Sequence, residues 1–232
     1  MASTSYEQFC PVAMAAEILC TRWTLIVMRE LVVGATRFND LRRGAPRMSP
    51  ALLSQRLKAL EAAGLVRRIR AGGGVRGSEY QLTDAGRAVR PIIEAMGEWG
   101  QRWIDSEVSL QNLDASLLMW DMRRNIDVRP MPSRRSTIQF HYAELPRQER
   151  DWWLLVEPDT GVDLCSVDPG FDVDLYFHTD LRTMTAIWMG FDSVRAAIDA
   201  GRLTLTGDRA LKDSLQHWLC LSVFARTSKM AS

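Results

Sequence analysis

The sequence predicts an α+β protein of two domains. Residues 1–105 form a mainly helical one, and in residues 106–232 strands come first and helices after. Three observations carry this. Helix start and stop signals dominate the first part, whereas strand-sized apolar runs such as Trp152 to Val156 arrive in series only in the second. A glycine-rich turn, Ala71 to Gly77, lies between two strand-like runs, Leu65 to Arg70 and Ser78 to Leu82, and so reads as a hairpin. Charge is also unevenly placed. Residues 34–90 hold 12 Lys and Arg against 4 Asp and Glu, whereas residues 106–232 hold 14 against 18. The overall net charge of +1 hides this asymmetry. A basic segment joined to an acidic one implies different partners, the first of them polyanionic.

Composition narrows the function classes. Hydrophobic residues make up 47% and charged residues 25% of the 232, close to an ordinary globular protein and far from a disordered one. No run approaches the ~18 apolar residues of a membrane span. The start, Met1 to Gln8, has an acid and no cationic region ahead of an apolar core, unlike a signal peptide. The expectation is a cytoplasmic protein with no membrane partner. Cys10, Cys20, Cys165, Cys220 and the three histidines are scattered, which argues against a metal site or a disulfide framework.

The elements follow in order. Cys10-Pro11 opens a first helix with Val12, Ala15, Ala16 and Leu19 on one face. Thr21 is placed to cap a second, Trp23 to Val33, which is apolar on most sides and stops at Gly34. Phe38 and Leu41 anchor a short third helix that also bears arginines. The fourth is the best punctuated: Ser49 as N-cap, Pro50 in the first turn, Gly64 as the stop, with Leu53, Leu57 and Leu60 as its buried stripe. After the hairpin, Thr83-Asp84 starts a helical stretch. There Ala85, Val89, Ile92, Met96, Trp99 and Trp103 form a heptad-like seam, kinked or broken at Pro91. A seam ending in two tryptophans fits a second subunit, so Val89, Ile92, Met96, Trp99 and Trp103 are the expected dimerisation residues. Beyond residue 106 come a helix (Leu113 to Arg124), strands at Thr137–Ala143, Trp152–Glu157, Val162–Val167 and Val173–His178, and a helix capped by Asp180. A short helix then stops at Gly201, before a strand at Leu203–Thr206 and a final helix capped by Asp208.

Three helices, a polar-faced fourth and a glycine-tipped basic hairpin make a winged helix. Small residues at the start of the fourth helix, Ser49, Ala51 and Ser54, let it enter a major groove without clash. Gln55, Arg56 and Lys58 then reach base edges or nearby phosphates. Arg37, Arg43, Arg68, Arg70 and Arg76 are the expected phosphate contacts.

Residues 10–70 closely resemble the HxlR family of bacterial winged-helix regulators. The resemblance rests on Cys10-Pro-Val-Ala13, Arg22-Trp23-Thr-Leu25, Arg29-Glu30-Leu31, Arg37-Phe38-Asn-Asp-Leu41 and the run from Leu52 to Val66. It implies a homodimer, operator recognition by Ser49 to Ala63 and a wing at Val66 to Leu82. Family members usually end near residue 105 or a little beyond, so the rest is a departure. Cys10 stands where the family often carries an N-terminal cysteine, a thiol that some members use to sense oxidants or electrophiles. A helix N-terminus stabilises a thiolate there, and the other reading is a small, mostly buried apolar residue.

Residues 135–220 more weakly resemble the sterol-carrier-protein-like lipid-binding fold, on Val173 to Phe177, Asp180 to Gly190 and Ala200 to Asp208. The resemblance implies a sheet with helices around an apolar cavity. Trp120, Trp152, Phe177, Met184, Trp188 and Phe191 are then its expected lining, with a small apolar ligand inside. His178 and Arg182 fit a surface role better than a ligand headgroup. The sequence has no nucleophile elbow, phosphate-binding glycine loop or paired metal ligands, so neither an enzyme nor a cofactor is expected. The resulting expectation is a homodimeric DNA-binding regulator under ligand control. The alternatives are a redox switch through Cys10 and a lipid or small-molecule carrier.

Overall fold

A computed structural model describes residues 5–70 and 78–230. The hairpin tip, with Gly72 to Gly74 and Arg76, lies outside the described residues. The chain forms two compact units, Met1–Gly97 and Glu98–Ser232, so the division falls a few residues before the boundary read at 105. The last turns of the helix at the boundary explain this. Gln101 Nε2 donates to the Met189 carbonyl at 2.8 Å, and Met230 N donates to that of Arg102 at 2.9 Å, which ties residues 101 and 102 to the second unit.

In the first unit α1 spans Pro11–Leu19 and starts at Cys10 with Pro11 in its first turn. Helix α2, Thr24–Val32, is entered differently from expectation. Thr21 accepts no capping bond from the start of α2 through its hydroxyl. Its carbonyl accepts from Thr24 N at 2.9 Å, and Trp23 takes a left-handed φ of 78° at the N-cap. That conformation costs a side-chain-bearing residue about 1–2 kcal/mol. Packing of the Trp23 ring against the unit's apolar core offsets the cost. Helix α3 is Phe38–Arg43 and α4 is Pro50–Ala62. Leu53, Leu57 and Leu60 of α4 are fully buried beside Val27, Met28 and Leu31 of α2 and Leu41 of α3. Gly64, at φ +71°, ends α4, and Leu65 N returns to the Leu60 carbonyl at 3.0 Å.

Strands β1, Val66–Arg70, and β2, Ser78–Leu82, pair antiparallel with Val66 opposite Leu82 and Arg70 opposite Ser78. Thr83 then does two things: its hydroxyl donates to the Gly64 carbonyl at 2.6 Å and accepts from Gly86 N at 3.1 Å. It thereby fastens the end of α4 to the start of α5, Asp84–Arg87. The break expected near Pro91 is present, and α6 runs from Arg90 to Trp103. Val89 falls in that break and is buried in the core of the first unit. It is therefore a core residue rather than part of the exposed seam.

The second unit begins with α7, Ser106–Leu110, and α8, Ala115–Asn125. Its sheet has the order β5-β4-β3-β6-β7, built from β3 (Ser136–Tyr142), β4 (Asp151–Glu157), β5 (Gly161–Cys165), β6 (Leu175–Thr179) and β7 (Leu203–Gly207). Among the described residues of this sheet only the β3–β6 pair is parallel. Alternation along β3 and β6 sends Ile138, Phe140, Tyr142, Leu175 and Phe177 to one buried face. There they join side chains of α8, of α9 (Leu181–Trp188), of α11 (Arg209–Asp213) and of α12 (Leu215–Trp218) in one core. Helix α10, Val194–Asp199, stops at Gly201 as expected. The single final helix read from the sequence is two short ones. Ser214 between them turns its hydroxyl back to the Ala210 carbonyl at 2.7 Å, which competes with helix continuation. No single helix among the described residues is long and apolar enough to cross a membrane.

Candidate nucleic-acid interface

The exposed side of α4 is held out by its buried leucine stripe. Ser49 caps the helix, its Oγ accepting from Leu52 N at 3.3 Å, so the chain turns into α4 at a defined point. Ala51, Gln55 and Lys58 are exposed and Ser54 is half-buried. Small side chains at the first turn and longer polar ones a turn later are what major-groove entry requires.

The turn before α4 is locked from beneath. Glu30 of α2 is completely buried and pairs with Arg29, whose Nε donates to Glu30 Oε1 at 3.0 Å. Another guanidinium nitrogen of Arg29 donates to the Gly44 carbonyl at 2.6 Å, which anchors the α3–α4 connection. A side chain at residue 44 would collide with Glu30, so glycine is required there for space and not for its φ of −75°. The Arg29-Glu30 pair and Gly44 set where α4 sits. In the sequence the pair stands out only as part of a motif, because Gly44, its partner, lies fourteen residues or more away.

The arginines divide by what they touch. Arg68 and Arg70, two apart on β1, share one face and meet no acidic side chain among the described residues. Arg67 points to the other face and bonds Gln81 across the hairpin at 3.0 Å. Arg37 is 3.6 Å from the Glu79 carboxylate and Arg43 is 3.2 Å from that of Asp40. Both pairs are partly exposed, so their attraction is weak enough for a phosphate to compete. Arg56 departs from expectation. Its Nε donates to the Arg22 carbonyl at 2.9 Å, which ties the guanidinium to the α1–α2 turn and away from the row of Ala51, Gln55 and Lys58. Its place at the edge of α4 gives it this reach.

Along α6 the predicted seam is open to solvent. Ile92, Met96, Trp99 and Trp103 are exposed, Trp99 at 61%. Phe9, Val12 and Met14 around the start of α1 are exposed as well. Cys10, beside them, is half-buried. The amides of Ala13 and Val12 at the helix start hold its thiol below the ordinary thiol range.

In the second unit the side chains expected to line a cavity are packed against protein. Trp120, Trp152, Phe177, Met184 and Trp188 are all buried. Phe177 stacks on Phe140 at 4.5 Å and meets the edge of Trp218 at 6.1 Å. Trp188 Nε1 donates to Asp121 at 2.8 Å, and Arg123 lies 5.0 Å over the Trp120 ring. Phe191 is half-buried under the Lys229 ammonium, 4.7 Å from its ring. These contacts make the group core packing first. Arg182 pairs with Glu107, one guanidinium nitrogen lying 2.6 Å from both carboxylate oxygens. One polar pair went unread in the sequence: His141 Nδ1 lies 2.7 Å from Asp151, its cross-strand neighbour. Only strand register could have revealed it.

The family model described as HxlR-like helix-turn-helix matches residues 18–108. The Bacillus subtilis regulator YvaP, an uncharacterized HTH-type transcriptional regulator, is 36% identical over 100 residues, covering 43% of this chain and 93% of its own. The chain belongs to the HxlR family. A second Bacillus subtilis relative, the uncharacterized HTH-type transcriptional regulator YybR, is 35% identical over 95 residues, 41% of this chain and 76% of its own. Among solved structures, the redox regulator HypR in its reduced form is 34% identical over 40% of this chain and 91% of that one, with a TM-score of 0.37. The HxlR match ends at residue 108, so the sheet of the second unit lies beyond it.

Proposed function

We propose that the chain is a homodimeric transcriptional regulator that reads operator DNA with α4, steadies itself on the backbone with the β1–β2 hairpin, and answers to a small ligand. The observation that carries this reading is the capped α4 with exposed Ala51, Gln55 and Lys58 and half-buried Ser54, together with exposed Arg68 and Arg70 on β1. Gln55 supplies a bidentate donor–acceptor pair for a base edge, while the arginines supply salt-sensitive affinity. The exposed Ile92, Met96, Trp99 and Trp103 support the dimer, since a monomer gains nothing by leaving two tryptophans in water.

The five-stranded sheet backed by helices supports reading the second unit as a sterol-carrier-like sensor. A ligand there regulates only if it binds one dimer arrangement better than another, which shifts the separation of the two α4 helices. Because the aromatic side chains are packed together, such a ligand has to open the core around Phe177 and Trp218. A second reading, redox control through Cys10, is favoured by the amide-stabilised thiol at the start of α1.

The test is selection of preferred duplexes from a random-sequence pool by the full-length protein, with light scattering on the same sample. Enrichment of a two-fold symmetric site by a dimer is expected. A monomer, or a pool that stays random, would overturn the regulator in favour of the carrier. Native mass spectrometry for a co-purified small molecule tests the sensor.

A further inference from the structure

Within the first unit, α1, the turn after it and α4 line a half-open pocket of about 210 Å³, whose rim side chains Glu17, Thr21 and Ala59 are exposed. Part of its lining is apolar, from Ile18 of α1 and Ala59 and Leu60 of α4. Arg56 stands in its wall, fixed by the bond from its Nε to the Arg22 carbonyl. The two terminal nitrogens of that guanidinium make no hydrogen bond or ion pair among the described residues. Thr21 adds a hydroxyl. Glu17 also lines the cavity, and its Oε1 accepts from Ser5 Oγ at 2.8 Å and from Tyr6 N at 2.7 Å.

We propose that this cavity binds a single-ring organic acid carrying a hydroxyl or amino group. A guanidinium with unused N–H groups is the natural partner of a carboxylate, which it takes in a forked pair. The apolar wall suits a ring. A volume of about 210 Å³ accommodates one ring with two small substituents, one side of which stays in solvent because the pocket is half open. The Glu17 carboxylate repels a second anion and accepts from a donor, which selects a hydroxyl or amine on the ring. An aromatic cation would meet Arg56 and is disfavoured. The site lies on the edge of α4, so an occupied cavity changes how Arg56 anchors that helix to the α1–α2 turn. This regulatory consequence rests on α4 being the DNA-reading helix, whereas the binding itself does not.

The test is calorimetric titration of the full-length protein with 2-, 3- and 4-hydroxybenzoate and 4-aminobenzoate, with benzamidine and 4-methylphenol as comparators. At least one of the four acids should bind saturably and about tenfold more tightly than either comparator. Arg56→Gln should weaken it by a similar factor, and Ala59→Phe, which fills the cavity, should abolish it while circular dichroism stays unchanged. Saturable binding by none of the four acids would overturn the proposal. So would equal binding of benzamidine, or acid binding that survives both substitutions. Acid binding without duplex selectivity would keep the site and remove the regulator, and duplex selectivity without acid binding would remove only the site.

Discussion

Replacing Gly44 by alanine tests how the position of α4 is determined. The backbone there is ordinary, φ −75°, so alanine brings no conformational penalty. The added methyl would lie 1.9 Å from Glu30 Cδ, and Glu30 is completely buried with nowhere to swing. Either the α3–α4 turn lifts or the Glu30 carboxylate leaves Arg29. Overpacking of this kind costs about 1–3 kcal/mol. For a unit of this size each kcal/mol lowers the midpoint by roughly 4–8 °C. Thermal and urea unfolding of Gly44→Ala, Glu30→Ala and the double variant form the cycle. With the Glu30 side chain gone the methyl enters vacated space, so the alanine should then cost at least about 1 kcal/mol less than in the unmodified protein. An equal cost in both backgrounds, or a fully stable Gly44→Ala, would refute the reasoning.

Three further outcomes are expected. Met96→Glu or Trp99→Glu should convert the dimer to a monomer by light scattering and abolish tight operator binding with it, whereas the same change at the core residue Val89 should lower the folding midpoint instead. Removing the α4 cap by Ser49→Ala should cost about 1 kcal/mol of stability in urea unfolding and weaken operator binding. As pH rises Cys10 should be alkylated before Cys165, because amides lower the first thiol while burial and Asp163 raise the second. Stability from the Cys10 thiolate is present above the ordinary thiol pKa and lost as pH falls through its lowered value. Mass spectrometry after timed alkylation reads the order, and Cys165 reacting first would contradict it.

Local signals in the sequence carried most of the fold. Ser49, Pro50 and Gly64 bound α4 almost to the residue, and the glycine-rich turn announced the β1–β2 hairpin. What sequence left out depends on partners far along the chain. The entry to α2 goes through a left-handed Trp23, whose half-buried ring packs against the core, and not through a Thr21 side-chain cap. Val89 matched the seam by spacing, yet the break before α6 turns it inward. Arg56 was read from its place on α4, while its direction is set by a carbonyl thirty-four residues earlier. Aromatic richness in the second unit says that rings are buried, and only packing distinguishes a core from a lined cavity.

The central claim is that α4 reads sequence and the hairpin holds phosphate. The direct measurement is a salt titration of binding by the unmodified protein, Gln55→Ala and Arg70→Ala to a selected duplex and to its scrambled counterpart. Gln55→Ala should lose about 1–3 kcal/mol on the selected duplex and little on the scrambled one. Arg70→Ala should weaken both alike and reduce the salt slope by about one. If both variants fall equally on both duplexes, or the unmodified protein shows no preference between them, α4 reads no sequence and the account is contradicted.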